Sequence, residues 1–206
     1  MSDGAGPPPT LRQAVRWAAA APLRARWPAA RVRAGYCARS PRQVLAEGEL
    51  SFTAPCADLS SLVAARLADE GLAATLVLAG IRRPLSHVKF QCGLEVALDG
   101  ETWVVGFGVS STYLYRGRFV ETRRRPWVFR AAPARVDPDT PFLAHFEPDG
   151  RSGVARRVPG YDLERDLAWH ARRQGWLRWA LARRRAAAEG RAARRGRLPE
   201  AGGRWG

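Results

Sequence analysis

The chain has 206 residues, enough for one domain with a hydrophobic core and extensions, and too few for two full domains. Its net charge of +15 is unevenly placed: residues 1–50 carry +5, residues 51–150 sum to zero and residues 151–206 carry +10. No apolar run approaches the roughly 20 residues that a bilayer span requires, so the sequence predicts no transmembrane segment.

In chain order, Gly4 to Pro9 is a Pro/Gly stretch with no predicted structure, and Thr10 is expected to cap a helix through Leu11, Val15 and Trp17 that Pro22 ends. A short helix is predicted over Pro41 to Glu47 with Ser40 as its cap. These elements form an N-terminal extension, residues 1–50. It is rich in Arg and Ala like a targeting peptide, but no apolar segment or small-residue cleavage site follows.

The core is expected over residues 51–160. After Pro55 and Cys56, the spacing of Leu59, Leu62, Val63 and Leu67 is helical, and Gly71 supplies the stop. Ala73 to Ile81 is a continuous β-compatible apolar run and reads as a buried strand. From His87 the chain alternates: Val88, Phe90, Cys92, Leu94, Val96 and Leu98 take one face, while His87, Lys89, Gln91 and Glu95 take the other. Asp99-Gly100 is a hairpin turn, and Trp103 to Leu114 is the predicted returning strand. A further strand is predicted at Trp127 to Arg130, with no order assigned to residues 131–159. Residues 161–206 read as a basic helix, marked by Leu163, Leu167, Trp169, Leu177 and Leu181, that runs out into an Arg/Ala/Gly tail.

A cysteine in the first turn of a helix is favoured as thiolate by the free backbone N–H groups and the positive end of the helix dipole, and the thiolate is the nucleophile. Cys56 has that position; Cys37 and Cys92 do not. Three cysteines without paired spacing argue against a disulfide framework and for a reducing compartment, so the cytoplasm is the expected location. A thiolate needs an imidazole to stabilise it and to protonate the leaving group, and His87 opens the polar face of the hairpin strand 31 residues after Cys56. His145 falls in a Pro-flanked loop segment and His170 among arginines of the C-terminal helix. Gln91, on the same strand face as His87, is a candidate amide donor to an oxyanion. Cys56, His87 and Cys92 lack metal-ligand spacing, and no phosphate-cradling loop is present, so no metal or nucleotide is expected.

The run from Cys56 through Asp58 to Gly71, followed by a strand, resembles the catalytic helix of transglutaminase-like proteins, and His87 to Trp103 is similar to that family's histidine hairpin. The likeness covers residues 54–110. It implies an α+β fold in which a catalytic helix packs on an antiparallel sheet, thiol acyl transfer or amide hydrolysis on a peptide or an amide/amine substrate, and no organic cofactor. Arylamine N-acetyltransferases share this core, and Gly106-Phe107-Gly108 resembles their glycine-aromatic-glycine; in that branch acyl-CoA is the donor. Their Gly-Tyr-Cys motif also occurs at Gly35-Tyr36-Cys37, but Pro41 blocks a catalytic helix there. The sequence departs from the family where an acid should orient the histidine. With hairpin partners summing to 199 or 201, His87 faces Thr112 to Leu114 and the orienting position falls at Ser110 to Thr112, all hydroxyl residues. Three outcomes follow: Ser110, another hydroxyl or a carbonyl orients His87; a distant acid, Asp137 or Asp139, swings in; or the site has decayed and the fold serves binding.

The binding alternative draws on charge. Arg123 to Arg125 beside Trp127, and the C-terminal Trp169, Trp176 and Trp179 with Arg183, Arg184 and Arg185, suit nucleic acid, an acidic partner or an anionic surface. Lys89 is the only lysine in a chain heavy in Arg, Ala, Gly and Pro, a pattern that a GC-rich genome also writes, so the charge alone is weak evidence for a phosphate partner.

Overall fold

The computed structural model describes residues 6–20, 37–48, 50, 55–82, 88–107, 112–146, 161–162, 164–165 and 168. Among these residues three α-helices and a five-stranded antiparallel sheet make up an α+β architecture: α1 (Pro9–Ala19), α2 (Pro41–Glu47), α3 (Pro55–Asp69), β1 (Thr75–Arg82), β2 (Val88–Leu98), β3 (Glu101–Phe107), β4 (Thr112–Arg116) and β5 (Trp127–Arg130). No helix among the described residues is long and apolar enough to cross a membrane.

Local chemistry explains where the helices begin and end. Helix α2 carries a full capping box: the Gln43 N–H donates to Ser40 Oγ, and the Ser40 N–H donates to the Gln43 side chain. Helix α3 ends in a Schellman arrangement, with the Gly71 N–H on the Ala68 carbonyl and the Leu72 N–H on the Leu67 carbonyl, and Gly71 takes the left-handed φ of 78° that this closure needs. Helix α1 begins one residue before its expected cap. Pro9 fills the first turn, where a missing N–H costs nothing, and Thr10 lies within the helix rather than capping it.

The sheet has the order β4-β3-β2-β1-β5. Asp99 and Gly100 both have positive φ, 54° and 75°, the signature of the tight turn that matches strand twist. The turn sets the β2–β3 register at Leu98 opposite Glu101 and Gly93 opposite Gly106, pairs that sum to 199, one of the two registers the sequence left open. The predicted single returning strand over Trp103 to Leu114 is instead two strands. β3 ends at Phe107, and the chain doubles back so that Thr112 pairs with Phe107 and Tyr113 with Gly106. Thr112 to Leu114 therefore belong to an outer strand beside β3 and do not extend opposite the start of β2. Strand β5 then crosses to the far edge and pairs with β1, Val77 opposite Arg130.

Helix α3 is buried on nearly every side because it lies between the sheet and α1, and small residues at Ala57, Ser60, Ser61 and Ala64 permit the close approach. Leu11, Ala14, Val15 and Ala18 of α1 join the same core as Leu62, Val63 and Leu67 of α3 and Leu76, Leu78, Leu94 and Val105 of the sheet. The stretch after β5, to which the sequence assigned no element, contributes a short 3-10 helix, Phe142–His145, whose Phe142 is fully buried in this core.

The opposite face of the sheet has its own small cluster of Val77, Val104 and Phe119. Phe119 is seated by two kinds of contact. Buried Glu95 accepts its N–H at 2.7 Å and also pairs with Arg130, whose guanidinium donates to the Phe119 carbonyl. The Phe119 ring occupies the space that a side chain at Gly93 would take: a Cβ there would meet Phe119 Cζ at 2.5 Å and the Val105 carbonyl oxygen at 2.7 Å. One of those neighbours is backbone and cannot swing aside. Gly93→Ala is accordingly predicted to destabilise the fold by about 1–3 kcal/mol, measured as a lower urea midpoint.

Candidate active site

Cys56 is the second residue of α3 and packs, partly buried, against the helix-facing side of the sheet. Facing it is Cys92 of β2, 1 % exposed. The alternation of β2 sends Phe90, Cys92, Leu94 and Val96 toward the helix, so the register that buries these apolar residues also aims the Cys92 thiol at the first turn of α3. Cys92 makes hydrogen-bonding contacts with Cys56 and also with Cys37, which is 3 % exposed and lies in the loop before α2. Three thiols distant in sequence thus meet, with Cys92 touching both of the others. All three are free.

These contacts divide the protons unequally. The Cys92 S–H donates to Cys56, and this is the main reason that the Cys56 pKa falls to about 7; the Cys92 backbone N–H and the Lys89 charge act in the same direction. Burial and the charge of Asp58 oppose the shift without cancelling it. Cys92 moves the other way, well up from the usual thiol range, because it is buried and hydrogen-bonded to its two neighbours. At pH 7 about half of the Cys56 side chains are therefore thiolate, with the Cys92 thiol as donor. The position of Cys56 at a helix start favours the same charge state.

Asp58 is buried 2 % exposed and forms an ion pair with the equally buried Arg39, which also donates to Glu47 at 2.7 Å. The pairing partly neutralises the carboxylate nearest to Cys56 in sequence. It also joins the chain two residues after Cys37 to the chain two residues after Cys56, and so holds the loop of Cys37 against α3.

The other predicted residues fall as follows. Val88, the residue after His87, opens β2, and the influence of Lys89 on Cys56 puts the start of that strand within electrostatic reach of the sulfur. His87 and Ser110 lie outside the described residues, as do His170 and Arg183, Arg184 and Arg185. Gln91 is not brought to Cys56. Its amide donates to the Tyr113 hydroxyl at 3.3 Å, and the Tyr113 ring lies over Gly106 on the face of the sheet turned away from α3. Period-two alternation makes this unavoidable once Cys92 faces the helix, so an oxyanion role for Gln91 at Cys56 does not fit the fold. Asp139 is paired with Arg42 at the start of α2 and tethers the loop after β5 to that helix, while Asp137 accepts from the Thr140 hydroxyl and the Asp139 N–H and braces the loop internally. His145 ends the 3-10 helix, and burial lowers its pKa. Cys92 was legible only as an apolar-face strand residue; its signal as a site residue was that it shares the face that must cover the Cys56 helix.

Compared with protein-family models, with curated proteins and with solved structures, the chain matches none.

At pH 7, iodoacetamide is expected to modify Cys56 ahead of Cys37 and Cys92, read by peptide mass mapping. A thiol with pKa about 7 is half thiolate there, whereas an unperturbed thiol near 8.5 is only about 3 % thiolate. Removing the donor with Cys92→Ala is therefore expected to slow Cys56 alkylation at pH 7 about tenfold, with the difference vanishing in alkaline solution.

Proposed function

We propose that this protein is a thiol-dependent acyltransferase or amide hydrolase built on a transglutaminase-like core, with Cys56 as the nucleophile and His87 as its acid–base partner. The observation that carries the reading is the placement of Cys56: the second residue of a helix laid against an antiparallel sheet, beside a Cys92 thiol of the central strand that lowers its pKa to about 7. An ionised sulfur at neutral pH needs no separate base for attack, and that fits a site whose sequence offers no orienting carboxylate for the histidine.

In the proposed reaction the Cys56 thiolate attacks the carbonyl carbon of an amide, forming the carbon–sulfur bond and a tetrahedral oxyanion. Collapse breaks the carbon–nitrogen bond, and the leaving amine takes a proton from the His87 imidazolium, leaving a thioester on Cys56. Water or a second amine, deprotonated by His87, then attacks the thioester and returns the thiolate. His87 is proposed for this role because it stands immediately before Val88, the first residue of β2, so the strand alternation that turns Gln91 away from α3 does not fix its side. The register that puts Ser110 at the orienting position ends with β3 at Phe107, so His87 is assigned no orienting residue.

The reading is tested with p-nitrophenyl acetate, an activated acyl donor that needs no recognised side chain. One acetyl group per chain is expected on Cys56 in a rapid burst, followed by slow turnover that added amine accelerates. His87→Ala is expected to reduce steady-state turnover by roughly 10²–10⁴-fold, the range for loss of a general acid–base group. Acetylation spread evenly over the three cysteines, or turnover unchanged in Cys56→Ala, contradicts the reading.

A further inference from the structure

The acyl-transfer reading uses one of the three thiols, and it leaves unexplained why two more are buried in contact with it. Three sulfurs in one place suggest a metal centre, yet among the described residues no group of three Cys, His, Asp or Glu side chains is arranged to hold a metal ion. The arrangement is instead sequential. Cys92 contacts both Cys56 and Cys37, and access is graded along the row, with Cys56 partly exposed and Cys92 and Cys37 nearly sealed. Cys56 is the least buried of the three residues, and the Cys92 thiol is in contact with it.

We propose that Cys56, Cys92 and Cys37 form a thiol relay that reduces a hydroperoxide, in which Cys56 takes the oxidation, Cys92 closes a disulfide on it and Cys37 draws that disulfide inward. In the first step the Cys56 thiolate attacks the terminal peroxide oxygen. The sulfur–oxygen bond forms as the oxygen–oxygen bond breaks, the departing alkoxide or hydroxide takes a proton from solvent, and the sulfur is oxidised by two electrons to a sulfenic acid. In the second, the Cys92 sulfur attacks the Cys56 sulfur, the sulfur–oxygen bond breaks, and the oxygen leaves as water with the Cys92 proton. In the third, Cys37 loses its proton and attacks Cys92, forming the Cys37–Cys92 bond and releasing Cys56, which takes up a proton or stays ionised; this exchange is redox-neutral. Return to three thiols requires an external dithiol reductant.

The ionisation of Cys56 suits the first role, since the sulfur that attacks the peroxide is the one whose pKa is lowered to about 7. The pairing of Arg39 with Asp58 suits the relay too, because it fixes the Cys37 loop and the Cys56 helix to each other while Cys92 bridges their sulfurs. Hydroperoxide reduction is independent of acyl transfer: it calls on neither His87 nor an acyl donor, and oxidised Cys56 is closed to acylation.

The test treats the reduced full chain with one equivalent of hydrogen peroxide, with and without dimedone, and maps products by mass spectrometry. The wild type is expected to lose two thiols and gain one intramolecular disulfide, Cys56–Cys92 or Cys37–Cys92. Cys37→Ser is expected to hold the Cys56–Cys92 bond, and Cys92→Ala to accumulate a dimedone-reactive Cys56 sulfenic acid. Cys56→Ser is expected to slow thiol loss at least about tenfold. The proposal is overturned by a wild type that oxidises Cys56 onward to sulfinic acid without a disulfide, by a Cys37–Cys56 bond alone, or by Cys56→Ser losing thiols at the wild-type rate. Wild-type mapping and Cys56→Ser decide the matter even where Cys92→Ala fails to fold.

Discussion

The contact between the first turn of α3 and the middle of β2 is the constraint from which the site follows. The helix can approach the sheet closely because its buried positions include Ala57, Ser60, Ser61 and Ala64, and β2 presents Cys92 there because its apolar alternation must face the helix. A slip of one residue in β2 would turn Cys92, Leu94 and Val96 outward together. The same packing that stabilises the domain therefore fixes the sulfur–sulfur contact, and no separate device is needed to bring the two thiols together.

Charge is arranged around that contact with similar economy. A carboxylate two residues after Cys56 works against the thiolate, and the buried pairing with Arg39 limits that effect while closing the loop of Cys37 onto the helix. The far face of the sheet carries its own buried acid, Glu95, satisfied by Arg130 and the Phe119 N–H, so the two buried acids near β2 serve different layers. The outer cluster under Phe119 keeps β2 and β3 covered on the side away from the chemistry, where Gln91 and Tyr113 are hydrogen-bonded to each other.

Much of this was legible locally. Ser40 and Gln43, Gly71, and Asp99-Gly100 each state a cap, a stop or a turn in their own chemistry, and the turn narrows the hairpin to two registers, of which the fold takes the one with Leu98 opposite Glu101. The helix start at Cys56 was legible for the same reason. What local reasoning missed depends on distant partners. The break after Phe107 is imposed by β4 folding back with the Tyr113 ring over Gly106, and Phe142 fills the core from a stretch with no periodic pattern. The meeting of Cys37, Cys56 and Cys92 joins three segments whose proximity only the assembled sheet and helices create. Gln91 was placed on the correct strand face in the sequence, but the helix covers the other face.

The central claim is that Cys56 ionises around neutral pH because Cys92 donates to it. Titrating the ultraviolet thiolate absorbance of the native chain, with Cys56→Ser subtracted, measures this directly. The account predicts an inflection at about pH 7 that moves upward in Cys92→Ala. An inflection in the ordinary thiol range, the same with and without Cys92, would contradict it.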